Sequence, residues 1–317
     1  MKKIKRLTRT FNIDFISLCE AKTDQEKYEI TPFNLRFCLK SLKEAKNKNN
    51  IIDKTINGEK IRLQEIYNMP KSELLSFSNL MNETSIWILI FLKFKDSELI
   101  GLADDNGNFD EDAFDGLGKH IASPTVCLYH ETQNILAIAR NKEGVTSSEI
   151  LEFFRRIFKK TDLDCTPIVK GKNLQLSDIE LFKNLDISFG ELNTISQSTK
   201  AKITEVAPSV SSAILATETF GFNSMTLKGS MGDDREAGFK ECAGSELLAL
   251  SMLELKNLRH LKLGVKIKGQ KHIETIDLIN DRLTDQFSIT YNQGQRIKIS
   301  LVLYKLLESY NKNILKI

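Results

Sequence analysis

Residues 125–160 read TVCLYHETQNILAIARNKEGVTSSEILEFFRRIFKK, and the rest of the chain can be placed outward from them. Val126–Tyr129 and Ile135–Ala139 are apolar runs of strand length. The polar segment between them, His130 to Asn134, has the length of a hairpin connection. Gly144 then interrupts the pattern, and Thr146-Ser147-Ser148-Glu149 matches a capping box. In that motif the threonine hydroxyl accepts from the amide three residues on, while the glutamate reaches back to the cap amide. Behind it, Ile150, Leu151, Phe154, Ile157 and Phe158 fall on one helical face. The helix closes on Arg155, Arg156, Lys159 and Lys160. Cations at that end complement the helix dipole, and they are equally candidates for phosphate contacts.

Upstream, FNIDFISLC (11–19) alternates as a strand, and TPFNLRFCLKSLKEAKNKNN (31–50) has helical or mixed character. KIRLQEIYNM (60–69) is ambiguous, whereas SIWILIFLKFKD (85–96) reads as a buried strand. Downstream, DLDCTPIVK (162–170), KNLDISFG (183–190), FNSMTLKGS (222–230), KLGVKIKG (262–269) and QFSITYN (286–292) are strand-like. Residues 191–215 form a polar, partly helical connection, and GDDREAG (232–238) reads as a turn. Residues 245–261, 275–283 and 296–317 carry helical spacing. The expected fold is α+β, with mixed or antiparallel sheets, packed helices and two domains. Residues 1–190 would hold the hairpin and capped helix, and residues 191–317 a basic strand.

A chain of 317 residues with 41% hydrophobic and 27% charged residues has ample material for a core. The net charge of +3 conceals segregation. Asp96 to Asp115 contains eight acids and no base, whereas Lys256 to the end holds twelve Lys or Arg against five Asp or Glu, a net of +7. Such polarity can steer an anionic polymer to one face, and it can equally serve an intramolecular or dimer complementarity, so charge alone does not imply nucleic acid. The five cysteines are widely spaced without a CxxC, which fits reduced thiols in a cytoplasmic protein and argues against zinc. The basic start MKKIKRLTRTFNIDF lacks the apolar core of a signal peptide, and the run Ile86–Leu92 is too short to span a bilayer.

Catalytic patterns are weak. DDNGNFDEDAFD, aligned from Asp104, puts Asn106, Asn108 and Asp115 at calcium-loop positions, but Phe109 stands where the sharp turn needs glycine. Asp234 followed by Glu254-Leu255-Lys256 resembles a nuclease pattern, yet that chemistry places the Glu-x-Lys on a strand and these flanks have helical period. No phosphate loop, nucleophile elbow or zincin motif occurs. No catalytic residue, metal or cofactor is therefore expected. The sharper signal is KLGVKIKGQKH, in which Lys262, Lys266, Lys268 and Lys271 lie on or beside one strand. Lys266 and Lys268 would share a face opposite Val265 and Ile267. A lysine row of this kind tracks phosphates, and it also protects an edge strand from aggregation.

Taken in order, SPTVCLYHETQNILAIARNKEGVTSSEILEFF, LFKNLDISFG and FNSMTLKGSMGDDREAG resemble the RexA family of phage-exclusion proteins. ETIDLINDRLTDQFSITYNQG is similar to the closing segment of an uncharacterised bacterial family found among antiphage genes. The matched pieces cover roughly a third of the chain, and their shared order carries more weight than any single piece. The resemblance implies a homodimer that binds DNA with little sequence preference and acts with a membrane-protein partner. It also implies a DNA contact at Lys228, where that family has an arginine; two residues on, Ser230 replaces a lysine. The leading expectation is thus a non-catalytic DNA-binding sensor of antiphage defence, using Lys228, the Lys262–Lys271 group and, secondarily, Arg155, Arg156, Lys159 and Lys160. The alternatives are a metal-dependent nuclease built on Asp104, Asp105, Asp110 or Glu111, and a protein-binding scaffold.

Overall fold

A computed structural model describes residues 6–24, 27–83, 85–94, 102–103, 109–110, 121–169, 179–232, 238, 246–247, 250–251, 253, 255–269, 272–279 and 281–316. In chain order the elements begin with β1 (Arg6–Asp24), β2 (Lys27–Pro32), α1 (Arg36–Asn47), β3 (Ile52–Ile56), β4 (Glu59–Asn68), α2 (Lys71–Leu74) and β5 (Ile86–Phe94). They continue as β6 (Leu102–Ala103), β7 (Phe109–Asp110), β8 (Ala122–His130), β9 (Ile135–Arg140), α3 (Ser147–Phe158) and β10 (Leu163–Pro167). After β11 (Ile179–Phe189) come α4 (Gln197–Val206), α5 (Pro208–Thr219), β12 (Met225–Ser230), β13 (Leu258–Ile267), β14 (Ile273–Asp277), β15 (Thr284–Asn292) and α6 (Ile299–Asn313). This is a mixed α+β architecture with antiparallel sheets and packed helices. It divides into two compact units that are discontinuous in sequence.

The first unit comprises Met1–Asp14, Leu35–Thr161 and Asp285–Lys312. Its strands follow the order β1-β9-β8-β5-β4-β3, with β15 also paired to β1. β5 and β8 pair antiparallel from Ile86↔His130 to Phe94↔Ala122. Ile86 to Phe91 are all buried, as expected for a central strand covered on both faces. The capping box forms as its residues dictate: Thr146 Oγ1 accepts from the Glu149 amide at 3.3 Å, and Glu149 Oε2 accepts from the Thr146 amide at 2.8 Å. The helix so started, α3, packs Phe153 and Phe154 edge-on against Phe91, with ring centroids 5.3 and 6.0 Å apart. Each buried aromatic adds roughly 1.5–3 kcal/mol of transfer free energy. Glu149 also holds Lys93 at 2.8 Å, and Lys93 contacts Glu59 as well. Burial works against a charge on Lys93, but hydrogen bonds to these two carboxylates outweigh it and hold its pKa above the ordinary lysine range. The β3–β4 hairpin turns at Asn57 and Gly58, both with positive φ (50° and 83°), the conformation that favours Asn-Gly.

The second unit comprises Phe15–Asn34, Asp162–Thr284 and Asn313–Ile317. Here the later part of β1 pairs with β2 and β10. A separate four-stranded antiparallel sheet runs β12-β11-β13-β14. One face, carrying Ile187, Phe189, Leu261, Leu263, Val265 and Ile276, is buried in a cluster with Ile203 of α4 and with Val210 and Ile214 of α5. Residues 191–215, read from sequence as a polar and partly helical connection, therefore form the layer that covers this sheet.

Two segments differ from the sequence expectation, and a third resolves its open alternatives. Among the described residues of TIDLINDRL there is no helix: Ile273–Asp277 is strand β14, because pairing with β13 and burial of Ile276 outweigh a short helical-looking run. Within 245–261, Glu246, Leu247, Leu250 and Ser251 are helical, but Leu258 to Leu261 already belong to β13. Residues 31–50, helical or mixed by expectation, are mixed: Thr31 and Pro32 end β2, and the helix begins at Arg36.

Candidate nucleic-acid interface

The register of the four-stranded sheet assembles the site. Asp186 on β11 is the direct partner of Lys228 on β12 and of Lys262 on β13, and Lys262 in turn faces Asp277 on β14. Directly paired residues project to the same side of a sheet. Lys228, Asp186 and Lys262 thus form one cross-strand row on the face opposite the buried cluster. The neighbouring row is Thr226, Ser188 and His260, and the row beyond is Ser230, Asn184 and Gly264. Gly264 is required there, since a Cβ at that position would lie 2.9 Å from the Asn184 side chain.

Asp186 is the hub. Its Oδ1 sits 2.9 Å from His260 Nε2, and its Oδ2 sits 3.3 Å from Lys228 Nζ. The His260 hydrogen bond, against a smaller burial effect and with help from Lys228, holds the Asp186 carboxyl below the ordinary carboxylate range. The Lys228 side chain remains 71% exposed, so the ion pair leaves its ammonium open to other anions. Lys262 is exposed and has no ion-pair partner among the described residues. Chemically, the row offers two ammonium groups separated by a carboxylate that an imidazole of the next row also holds, an arrangement suited to phosphate contacts of moderate strength.

The other basic residues are placed differently. Lys266 lies on β13 and pairs with Glu180 at 2.8 Å. Lys268 is exposed in the turn after β13 rather than within it, and Lys271 lies outside the described residues. Arg156 is engaged by Glu152 and by the Thr55 carbonyl, each at 2.6 Å, and Arg155 lies 3.7 Å from Glu152. Lys159 adopts the left-handed helix-ending conformation (φ 53°), and the Lys160 amide donates to the Arg155 carbonyl at 3.0 Å. Arg156 thereby joins the end of α3 to Thr55 of β3. Among the described residues, no group of three metal-ligating side chains converges. Asp104, Asp105, Glu111, Asp234 and Glu254 lie outside the described residues, as does the side chain of Asp110.

A family model spans residues 7–316. The chain belongs to a family of unknown function, DUF6731. No curated protein matches it significantly. Sequence reading alone missed two residues of this site in the DUF6731 chain: Asp186 in the row and His260 beside it. Asp186 sat unremarked in a strand pattern, and His260 lay in a run expected to be helical. Alternation through LRHLKLGVKI was the available signal for both the strand and its polar face.

The first unit of the DUF6731 chain holds a second polar cluster, buried and structural in character. His130 Nδ1 lies 2.8 Å from the Tyr310 hydroxyl, and His130 Nε2 lies 3.0 Å from Glu83 Oε2. Beside it, the Tyr129 hydroxyl accepts from the Leu35 amide and donates to Asn134 Oδ1, each at 3.1 Å. Burial lowers the His130 pKa against the pull of Glu83 and pushes the Tyr129 phenol up to about 12. Neither group reaches solvent, so the cluster ties α6 and the start of α1 to the β8–β9 hairpin without offering a reactive surface.

Proposed function

We propose that this protein is a non-catalytic, largely sequence-independent DNA-binding component of antiphage defence. The observation that carries this reading is the Lys228–Asp186–Lys262 row on the face of the four-stranded sheet opposite its buried cluster, with Lys228 and Lys262 exposed. Lysines in that position neutralise phosphates and release counterions, which yields affinity that falls steeply with salt and varies little with sequence. Asp186 moderates the interaction, because a phosphate must compete with it for Lys228. The RexA resemblance supports the defence role, a cytoplasmic homodimer and a membrane-protein partner, with the two compact units serving as two domains.

Fluorescence anisotropy with duplex DNA over a salt series tests the reading. Each phosphate-contacting lysine contributes about 0.9 to the slope of log affinity against log salt, so the pair Lys228→Ala and Lys262→Ala should flatten that slope by up to roughly 1.8. Asp186→Asn should bind more tightly at every salt concentration. A wild-type protein that ignores duplex even at low salt removes the proposal.

A further inference from the structure

Strand β12 closes one side of the four-stranded sheet, and its outer edge is bare. It pairs with β11 over six residues, from Met225↔Phe189 to Ser230↔Asn184, without a register shift. Just past its end the Met231 amide donates to the Lys183 carbonyl at 3.0 Å, so residue 231 directs its backbone groups inward. That direction alternates along a strand. Gly229, Leu227 and Met225 therefore also turn their amides and carbonyls to β11, while Thr226, Lys228 and Ser230 turn theirs outward. Among the described residues, the outward backbone groups of these three have no partner. All residues from Thr226 to Ser230 are exposed.

A regular edge of this kind, with no bulge or proline, is a template for a further strand. The side chains of β12 indicate which strand fits. On the core side, Leu227 pairs with the fully buried Ile187, yet Leu227 itself is 37% exposed. Gly229 stands on the same side, and a Cβ there would meet only Leu185 Cβ at 3.9 Å, an ordinary contact. Neither crowding nor a positive φ within the chain requires a glycine at that place. On the polar side stand Thr226 and Lys228. Laid antiparallel on a copy of itself about Leu227, the strand is self-complementary. Leu227 meets the second copy's Leu227, Gly229 leaves room for the second copy's Met225, and Lys228 lies opposite the second copy's Thr226. The outward-facing Thr226 and Lys228 then form the hydrogen-bonded pairs, and the two leucines form the closer, non-bonded pair. Centring the pairing on Lys228 would instead set two ammonium groups directly opposite each other, which is unfavourable.

We infer that β12 is a self-pairing edge, on which a second copy of this chain lays its own β12 antiparallel and joins two four-stranded sheets into one. The polar faces then run on into each other. The Lys228–Asp186–Lys262 row of one copy continues into that of the other, with the outermost lysines about 25 Å apart across the joined strands. The pairing stands on the geometry of the edge; its use in holding phosphates rests on the lysine row being a phosphate contact. Six residues a side is small beside the roughly 20–30 of a standard interface, so the full chain is sedimented without nucleic acid up to about 100 μM. Wild type should approach the dimer mass as concentration rises. Thr226→Pro removes an outward amide and sets a ring on the edge, yet leaves every backbone bond to β11. It should stay monomeric with the wild-type circular dichroism, and Thr226→Ala should dimerise. Leu227→Cys tests the register even if the proline variant misfolds. Its two thiols would sit on Cα atoms about 4.5–5.5 Å apart, so mild oxidation should give a covalent dimer. Ser230→Cys, whose counterpart would lie about 20 Å away, should link no more than wild type.

A wild type that stays monomeric throughout that range overturns the inference. So does a dimer that Thr226→Pro leaves intact and Leu227→Cys fails to link, which assigns association to another face. In a salt series with duplex DNA, Thr226→Pro should flatten the slope of log affinity by up to half, because one sheet offers half the lysines. A dimer that responds to both variants as expected but ignores duplex supports the strand pairing and removes only the phosphate reading.

Discussion

Tyr310→Phe isolates one hydrogen bond in the buried cluster of the first unit and permits a worked expectation. Tyr310 is fully buried on α6, and its hydroxyl lies 2.8 Å from His130 Nδ1. The Glu83 carboxylate accepts from Nε2 at 3.0 Å, so in neutral His130 the proton sits on Nε2 and Nδ1 accepts from the tyrosine. Phenylalanine keeps the ring and opens no cavity, but it leaves Nδ1 buried without that donor. A buried group left unsatisfied costs about 1–3 kcal/mol, whereas Tyr310→Ala would add a cavity and cost about 3–5 kcal/mol. Urea unfolding followed by circular dichroism should show the midpoint of Tyr310→Phe moving with little change in slope. The pH dependence carries a definite sign. Burial lowers the His130 pKa in the folded state. Its contribution is therefore complete above the unfolded value of about 6.5 and is lost as pH falls through the lowered folded value, by at most about 1.4 kcal/mol per pH unit. Because burial dominates that shift and Glu83 remains, the variant should keep the same acid sensitivity and differ from wild type by a nearly constant offset above pH about 6.5. An offset below about 0.5 kcal/mol, the range of ordinary surface substitutions, would refute the hydrogen-bond assignment.

Removing the α3 cap by Thr146→Ala should cost about 1 kcal/mol in the same assay, while Thr146→Ser should retain most of it. Gly264→Ala places a Cβ 2.9 Å from Asn184 Cβ and should destabilise the second unit by about 1–3 kcal/mol. Asn184→Gly should relieve that clash fully and Asn184→Ala only in part, because Asn184 Cβ and Nδ2 both lie 2.9 Å from the added atom. An NMR titration should find the Asp186 carboxyl below its ordinary 3.8, and His260→Ala should raise it. The stability this pair adds is present above the ordinary value and disappears as pH falls through the lowered one. In the native protein a thiol reagent should modify half-buried Cys38 well before Cys127, whose burial pushes its pKa far up; comparable rates would place Cys127 nearer the surface.

Local chemistry made much of this protein readable in advance. The 125–160 stretch shows why: Asn134 and Thr146–Glu149 specify a turn and a cap through atoms a few residues apart, and Phe154 follows from helical period alone. Asn57-Gly58 carries a signal of the same kind that the sequence reading passed over, since two positive-φ positions in succession favour that dipeptide. Where two elements compete for one run, local preference fails. TIDLINDRL and LRHL resemble helices until β13 pairs with β14 and β11, because burying Leu261 and Ile276 in a sheet is worth more than a short helix can gain. The candidate site sits on the far side of that same decision. Its lysines are visible as a basic composition, and that composition by itself does not distinguish a phosphate row from a solvated edge. Strand pairing alone sets Lys228 and Lys262 on either side of Asp186, residues separated in the chain and joined by register. The sequence determined which segments could turn, cap and alternate. The tertiary structure decided which alternating faces lie together, because cross-strand neighbours are fixed by long-range hydrogen bonding and burial, and no single segment contains that information.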